Sequence, residues 1–149
     1  MATIKRFEDL EIWQIARRLA KEVYEETCRG AFAKDYGLKN QVNDSAGSIM
    51  DNISEGFERG GKIEFVNFLS YSKGSSGETR SQLYRAFNRN YITQEKLDYF
   101  QKEYFELGNR IGKLMNYLNQ SDFKGRKFKD RIKETNEPAR QNGDSNSKL

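Results

Sequence analysis

The stretch SAGSIMDNISEGFERGG, residues 45–61, carries small and amide side chains where a simple bundle helix would carry leucine. Its two isoleucines share one helical face with Ser45, Asn52 and Gly56, at steps of three and four residues. Small residues let another backbone approach closely, and a buried asparagine without hydrogen-bond partners costs about 1–3 kcal/mol. The pattern favours a helix that packs tightly against a neighbour, with a ligand site as the less favoured alternative.

Periodic apolar residues on both sides of this stretch predict a four-helix protein. The helix that contains it ends near Arg59, where two glycines follow. A first helix is predicted over residues 8–29 and a third over residues 62–90. A fourth follows the N-cap Thr93 and keeps a 3.5-residue apolar repeat to Leu118. Four helices joined by short loops predict an all-α, antiparallel up-down-up-down bundle.

The middle of the third helix lacks large side chains. Residues 73–77 read KGSSG, but no apolar strand precedes them and the spacing of a phosphate-binding loop is absent. Trp13, the sole tryptophan, lies on the apolar stripe of the first helix and is interpreted as a core anchor. We therefore interpret the glycines as room for a large side chain such as Trp13 from a neighbouring helix.

The fourth helix carries more aromatic surface than one apolar seam needs. Tyr99, Phe105, Met115 and Tyr117 lie outside the 3.5-residue repeat. One interpretation is a second contact surface, and hence self-association. The other is that neighbouring helices of the same subunit cover these side chains in part. The two interpretations stay open at this point.

The composition excludes several classes of chemistry. The chain has no histidine, which excludes the commonest general base and the histidine-containing metal sites of helical bundles. Cys28 is the single cysteine, so no disulfide can form within the chain. Arg59 follows Glu55 by four residues, and Gln82 and then Arg85 follow Glu78 at helical spacing, which favours surface pairing of both carboxylates over catalysis. We expect a non-enzymatic protein without metal or cofactor. No apolar run is long enough to span a bilayer, so a cytoplasmic location is expected.

The charge is concentrated at the C-terminal end. Residues 120–149 hold eight Lys or Arg against five Asp or Glu, which leaves eighteen against seventeen in the rest of a chain of net charge +4. Periodicity is lost in the same region. The sequence predicts a bundle over residues 1–120 and a disordered basic tail over residues 121–149.

Basic residues recur beside an aromatic on the third helix. Lys73, Arg80 and Tyr84 fall on one side, with Arg85 and Arg89 on an adjacent strip. Such a pattern is suited to holding phosphates and stacking on bases, and a solvated helical face of the same content is an equal alternative. The candidate nucleic-acid contacts are Arg17, Arg18 and Lys21 of the first helix, Lys73, Arg80, Tyr84, Arg85 and Arg89 of the third, and Lys124, Arg126 and Lys127 of the tail.

Three stretches resemble a known family. They read FEDLEIWQIARRLAKEVYEET, GLKNQV and SIMDNISEGFERGGKIEFVNFLSYSKGSSGE, and they resemble the four-helix-bundle proteins of the 23S rRNA intervening-sequence protein family. The family-motif and packing residues are Trp13, Ser48, Asn52, Glu55, Gly56 and Arg59. At Asp44-Ser45 the sequence departs from the Arg-Ala that is common in that family, which weakens the case that this helix touches RNA.

The resemblance implies a ring-like homopentamer. The family includes the accessory variability proteins of diversity-generating retroelements, similar barrels that bind nucleic acid and the reverse transcriptase of the element. Our preferred hypothesis is a homo-oligomeric, pentameric bundle that binds RNA or DNA non-specifically through its basic helix faces and tail. The alternative is a protein-interaction adaptor, such as an accessory subunit for a retroelement reverse transcriptase.

Overall fold

The computed structural model describes residues 4–120, and its regular segments form the four predicted helices. They are α1 (Glu11–Thr27), α2 (Tyr36–Arg59), α3 (Lys62–Asn88) and α4 (Gln94–Asn119), with short 3-10 turns at Phe7–Asp9 and Gly30–Lys34. The all-α bundle predicted from the sequence is confirmed. The predicted tail over residues 121–149 lies outside the described residues.

Local capping explains where the helices begin and end. α2 ends at Arg59, as predicted, because Gly60 takes the left-handed conformation at φ 84°. Thr93 caps α4, and its hydroxyl accepts a hydrogen bond from the Lys96 amide at 3.2 Å. α1 is shorter than predicted at its start, because the extended backbone of Leu10 separates it from the preceding 3-10 turn.

The helices enclose one apolar core. α2 packs most extensively on α3, α3 packs on α4, and α1 completes the bundle against α2 and α4. α1 and α3 are therefore diagonal to each other. The largest fully buried side chains are Tyr104, Phe32, Phe57, Phe65, Phe100, Leu19, Leu38, Ile49, Ile53 and Leu69.

Polar side chains close the seam between α1 and α4, the least extensively packed pair of neighbours. Arg18 pairs with Glu103 at 2.8 Å, Lys96 pairs with Glu26 at 3.7 Å, and Arg110 pairs with Glu11. The cations of all three pairs are exposed, although the Glu26 carboxylate is buried, and surface ion pairs contribute only about 0–1 kcal/mol each. Apolar packing of α1 on α2 therefore supplies most of the attachment of α1.

The prediction that Trp13 fills the glycine-containing middle of α3 is wrong. Trp13 is half-buried, meets the Phe7 ring edge-on at 5.2 Å and is covered by the Arg17 guanidinium. It sits on α1, diagonal to α3. A Cβ on Gly74 or Gly77 would meet nothing within 4 Å, so both glycines face away from the core.

The Asp35 carboxylate joins the start of α2 to the turn between α3 and α4. It accepts hydrogen bonds from the Tyr91 hydroxyl at 2.7 Å, the Leu38 amide at 3.2 Å and the Arg89 guanidinium at 2.7 Å. These three donors hold the pKa of Asp35 below its ordinary value. Because the pKa of this carboxyl is lower in the folded chain, the charged Asp35 stabilises the fold at pH values above its unfolded pKa of about 4. This stabilisation is lost as the pH falls through the pKa of the folded chain.

Asp35→Asn is expected to lower the melting temperature at pH 7, and this deficit is expected to shrink as the pH falls below about 4 and through the lowered pKa of the folded wild-type carboxyl. Asparagine retains the N-cap, so the substitution removes mainly the charge. Thermal unfolding of both proteins across this range measures the difference. Asp51→Asn, at an exposed position of α2, is the control. A difference between Asp35→Asn and wild type that does not change with pH would contradict the assignment.

Candidate nucleic-acid interface

Arg80 is held in a fixed position between α3 and α4. Its Nε donates to Gln101 Oε1 at 2.9 Å, and Gln101 Nε2 donates back to the Arg80 carbonyl at 2.9 Å. The guanidinium lies 5.2 Å from the ring centroid of Phe105, whose side chain is 53% exposed. No carboxylate pairs with Arg80 among residues 4–120. The result is an oriented, unneutralised cation on an aromatic surface.

Lys73 and Tyr84 flank Arg80 along the same side of α3. Both are exposed, and Lys73 Cε would lie 3.5 Å from a Cβ on Gly112 of α4. The structure thus brings Lys73, Arg80 and Tyr84 to one side of the molecule and adds Phe105. We call these four residues the α3–α4 face. The sequence placed Phe105 outside the apolar repeat of α4, but no pattern in it predicted the contact with Arg80. That contact depends on how α3 and α4 are offset along their axes.

Two other candidate arginines are balanced by carboxylates of the same subunit. Arg18 donates to Glu103 at 2.8 Å, to Glu22 at 2.9 Å and to the Tyr99 hydroxyl at 3.0 Å, and these acceptors raise the pKa of its guanidinium. Arg89 is bound to Asp35. Both guanidinium groups are therefore paired with carboxylates, in contrast to that of Arg80.

The other predicted contacts lie apart from the α3–α4 face. Arg17 and Lys21 are exposed on α1, on the helix diagonal to α3. Arg85 donates to Gln41 Oε1 at 2.9 Å, so it faces α2 rather than α4. Lys124, Arg126 and Lys127 lie outside the described residues.

A polar groove of about 660 Å³ runs between α2 and α3 on the side away from α4. We call it the α2–α3 groove. Below it, Ser45 Oγ donates to Gln82 Oε1 at 2.6 Å and is 2.8 Å from Thr79 Oγ1, in a buried cluster. The lining residues are Gln41, Asp44, Ser45, Ser48, Glu78, Ser81, Gln82 and Arg85.

The predicted pairing of Glu78 with Gln82 or Arg85 is wrong. Gln82 bonds to Ser45 and Arg85 bonds to Gln41, both on the neighbouring helix, so the partners along α3 are already engaged. Glu78 makes no ion pair within the described part of the chain. The expected pair of Glu55 with Arg59 does form, at 2.9 Å.

The family-motif residues other than Trp13, which lies on α1, belong to α2, and several of them connect α2 to α3. Asn52 Nδ2 donates to the Ser48 carbonyl at 2.8 Å and to Ser48 Oγ at 2.9 Å. Ser48 Oγ in turn lies 3.0 Å from Ser75 Oγ, and the Arg59 guanidinium lies over the Phe68 ring at 5.2 Å. In the structure these side chains make contacts that orient the two helices relative to each other.

No group of three or more Cys, Asp or Glu side chains could hold a metal ion within residues 4–120, and no helix there is long and apolar enough to cross a membrane. The Tyr104 hydroxyl is buried without a partner, and burial raises the pKa of this phenol. It therefore stays protonated at neutral pH and offers no base.

The comparisons with known proteins agree with the architecture. Residues 8–113 match the family model described as 23S rRNA-intervening sequence protein. Among matching solved structures is a protein of unknown function from the S23 ribosomal protein family of Bacteroides thetaiotaomicron. It is 20% identical, with a TM-score of 0.64 over 70% of this chain and 97% of that one, and it shows the shared fold. A comparison with curated proteins finds no match. The four helices and the family match together establish that this chain belongs to the 23S rRNA-intervening sequence protein family.

Proposed function

We propose that this protein is a non-enzymatic, self-associating bundle that binds nucleic acid through the α3–α4 face. The observation that carries the proposal is Arg80. Its guanidinium is oriented by Gln101 and Phe105, and no carboxylate of the described chain neutralises it. A fixed guanidinium binds phosphate oxygens with less loss of side-chain entropy than a freely rotating one.

The neighbours of Arg80 favour a single strand over a duplex. Tyr84 and Phe105 expose aromatic surface beside the cations. Unpaired bases stack on such rings, whereas the bases of a duplex are already stacked on each other. Phosphates and ring faces are common to every nucleotide, so we propose binding without sequence preference.

Self-association is supported by apolar side chains on α3 that the subunit leaves uncovered. Ile63 is 72% exposed and Tyr71 is 58% exposed, with Tyr71 edge-on to Phe68 at 5.7 Å. Exposed apolar clusters of this kind favour an interface with another copy. In the pentamer implied by the family resemblance, one nucleic-acid strand could contact several α3–α4 faces, which raises the total affinity above that of one face.

Arg80→Gln is expected to weaken binding and to reduce the slope of log affinity against log salt by about 1, since one phosphate contact is lost. Fluorescence anisotropy with labelled single-stranded RNA, single-stranded DNA and duplex DNA, starting at about 50 mM salt, measures both quantities. Lys34→Gln removes the same charge from the Gly30–Lys34 turn and should leave the slope unchanged. Light scattering reports whether either variant changes the oligomer.

Absence of binding by the wild-type protein at micromolar concentration would overturn the proposal, because phosphate contacts are strongest at low salt. Equal losses in Arg80→Gln and Lys34→Gln would place the contact away from the α3–α4 face.

A further inference from the structure

The first helix, α1, carries a second arginine that lies over an aromatic ring. The Arg17 guanidinium is 5.6 Å from the centroid of the Trp13 ring, and Trp13 in turn meets Phe7 edge-on at 5.2 Å. No carboxylate in the described part of the chain forms an ion pair with Arg17. The arrangement repeats that of Arg80 over Phe105 on a different helix. A guanidinium in this position offers its charge to a phosphate and its plane to a base.

Two more side chains extend this arrangement along α1. Lys21 follows Arg17 by four residues and Tyr24 follows Lys21 by three, so they share one face of the helix with Trp13. Tyr24 is 54% exposed. Lys21 is exposed, and Glu25, four residues further on, makes no ion pair with it. We call Trp13, Arg17, Lys21 and Tyr24 the α1 strip.

The α1 strip lies on the opposite side of the bundle from the α3–α4 face. Arg18 donates to Glu103 on α4, and consecutive residues project about 100° apart around a helix. The exposed Arg17 is therefore turned away from α4. α1 is also diagonal to α3, and the axes of diagonal helices are about 14 Å apart when neighbouring axes are about 10 Å apart. A phosphate bound at one of the two surfaces therefore does not contact the other.

We propose that the α1 strip is a second site for single-stranded nucleic acid, so that one subunit holds two strands on opposite sides. Phosphates contact Arg17 and Lys21, and unpaired bases stack on the Arg17 guanidinium and on Tyr24. The charge of the strip selects this occupant, because two cations without a paired carboxylate are complementary to a phosphate backbone. The inference rests on the proposed function in that both require a strand, but it needs no contact at Arg80.

Trp13, the only tryptophan of the chain, reports whether the α1 strip is occupied. An oligouridylate of about ten nucleotides, added at about 50 mM salt, is expected to quench its fluorescence. The anisotropy of a labelled copy of the same strand measures total binding. In Arg17→Gln/Lys21→Gln, the slope of log affinity against log salt taken from the quenching is expected to fall by about 1.4, since two contacts of about 0.7 each are lost. Each protein is compared with its own emission before the strand is added.

Two further variants separate this site from the α3–α4 face. Lys34→Gln/Lys102→Gln removes the same charge from exposed positions elsewhere and should leave the quenching unchanged. Arg80→Gln is expected to lower total binding while the quenching of Trp13 stays as in wild type. If Arg80→Gln leaves both quantities unchanged, the α3–α4 face is overturned and the α1 strip is retained.

Three results would overturn the α1 strip as a site for a strand. The first is a strand that binds wild type without quenching Trp13, and the second is equal quenching in wild type and Arg17→Gln/Lys21→Gln. Both leave the α3–α4 face as the binding surface. The third is tryptophan emission that changes when the protein is diluted without a strand, because the occupant would then be a second copy of the chain. Arg17 and Lys21 are exposed, so their double variant is expected to fold, and circular dichroism verifies this.

Discussion

Gly56→Ala is expected to lower the free energy of unfolding by about 1–3 kcal/mol, because the added methyl group has no room. A Cβ at this position would lie 2.6 Å from Phe68 Cβ and 3.1 Å from Phe65 Cδ1. Phe65 is fully buried, and both phenylalanines belong to α3. The clash can be relieved only by moving α2 and α3 apart, which disturbs the most extensive helix contact of the bundle. Alanine gains about 1 kcal/mol of helix propensity over glycine, and this gain is smaller than the packing loss.

Chemical denaturation of wild type and Gly56→Ala measures the effect, with a change in midpoint at constant slope as the signature of lost stability. The matched control is Gly47→Ala, two and a half turns earlier in the same helix, where an added Cβ meets nothing within 4 Å. It is expected to gain up to about 1 kcal/mol from helix propensity. Opposite signs for the two variants would establish that contact with α3, rather than the helix itself, selects glycine at position 56. A stabilised Gly56→Ala protein would contradict the close approach.

Ser45→Ala is expected to cost about 1–3 kcal/mol, because it removes the central hydroxyl of a buried polar cluster. Gln82 Oε1 loses its donor, and Thr79 Oγ1 loses a neighbour at 2.8 Å while keeping its bond to the Ser75 carbonyl. Ser45 is 4% exposed, so water replaces the lost partner poorly. The effect exceeds that of a surface substitution, for which about 0.5 kcal/mol is usual.

Ser81→Ala is the matched comparison for Ser45→Ala. Ser81 also lines the α2–α3 groove but is exposed on α3, and its loss is expected to leave the denaturation midpoint unchanged. The double variant Ser45→Ala/Gln82→Leu should recover part of the stability, since it removes the orphaned acceptor as well. Equal stabilities of Ser45→Ala and wild type would show that the cluster does not hold α2 against α3.

Features set by neighbouring residues in the chain could be predicted from the sequence. The Thr93 cap, the end of α2 at Arg59 and the start of α3 at Lys62 depend on local side chains and glycines, and all three are found as predicted. The sequence also indicates that the middle of α3 lacks large side chains, and the buried residues there are the small Ser72, Ser76 and Thr79. Each of these features depends either on residues within about one helical turn of each other or on the spacing of apolar residues, and both can be read from the sequence.

Features set by the register between helices could not be predicted. Arg80 meets Gln101 and Phe105 only because α3 and α4 run antiparallel at one offset, and no short-range pattern encodes that offset. The same limit explains the errors at Trp13 and Glu78. The periodicity of a helix shows which of its faces points to the core, but it does not show which helix lies beside each edge of that face.

The ion-paired seam between α1 and α4 also has a consequence for the order of folding. Its contacts join residues that are 85 positions apart for Arg18 and Glu103 and 99 positions apart for Glu11 and Arg110. The hairpins of α2 with α3 and of α3 with α4 close much shorter loops, and closing a shorter loop costs less chain entropy. We therefore expect the docking of α1 on α4 to be the last step in the assembly of the bundle, after the antiparallel pairs have formed. We expect the same seam to open before the α2–α3 contact does, because α1 and α4 pack less extensively on each other.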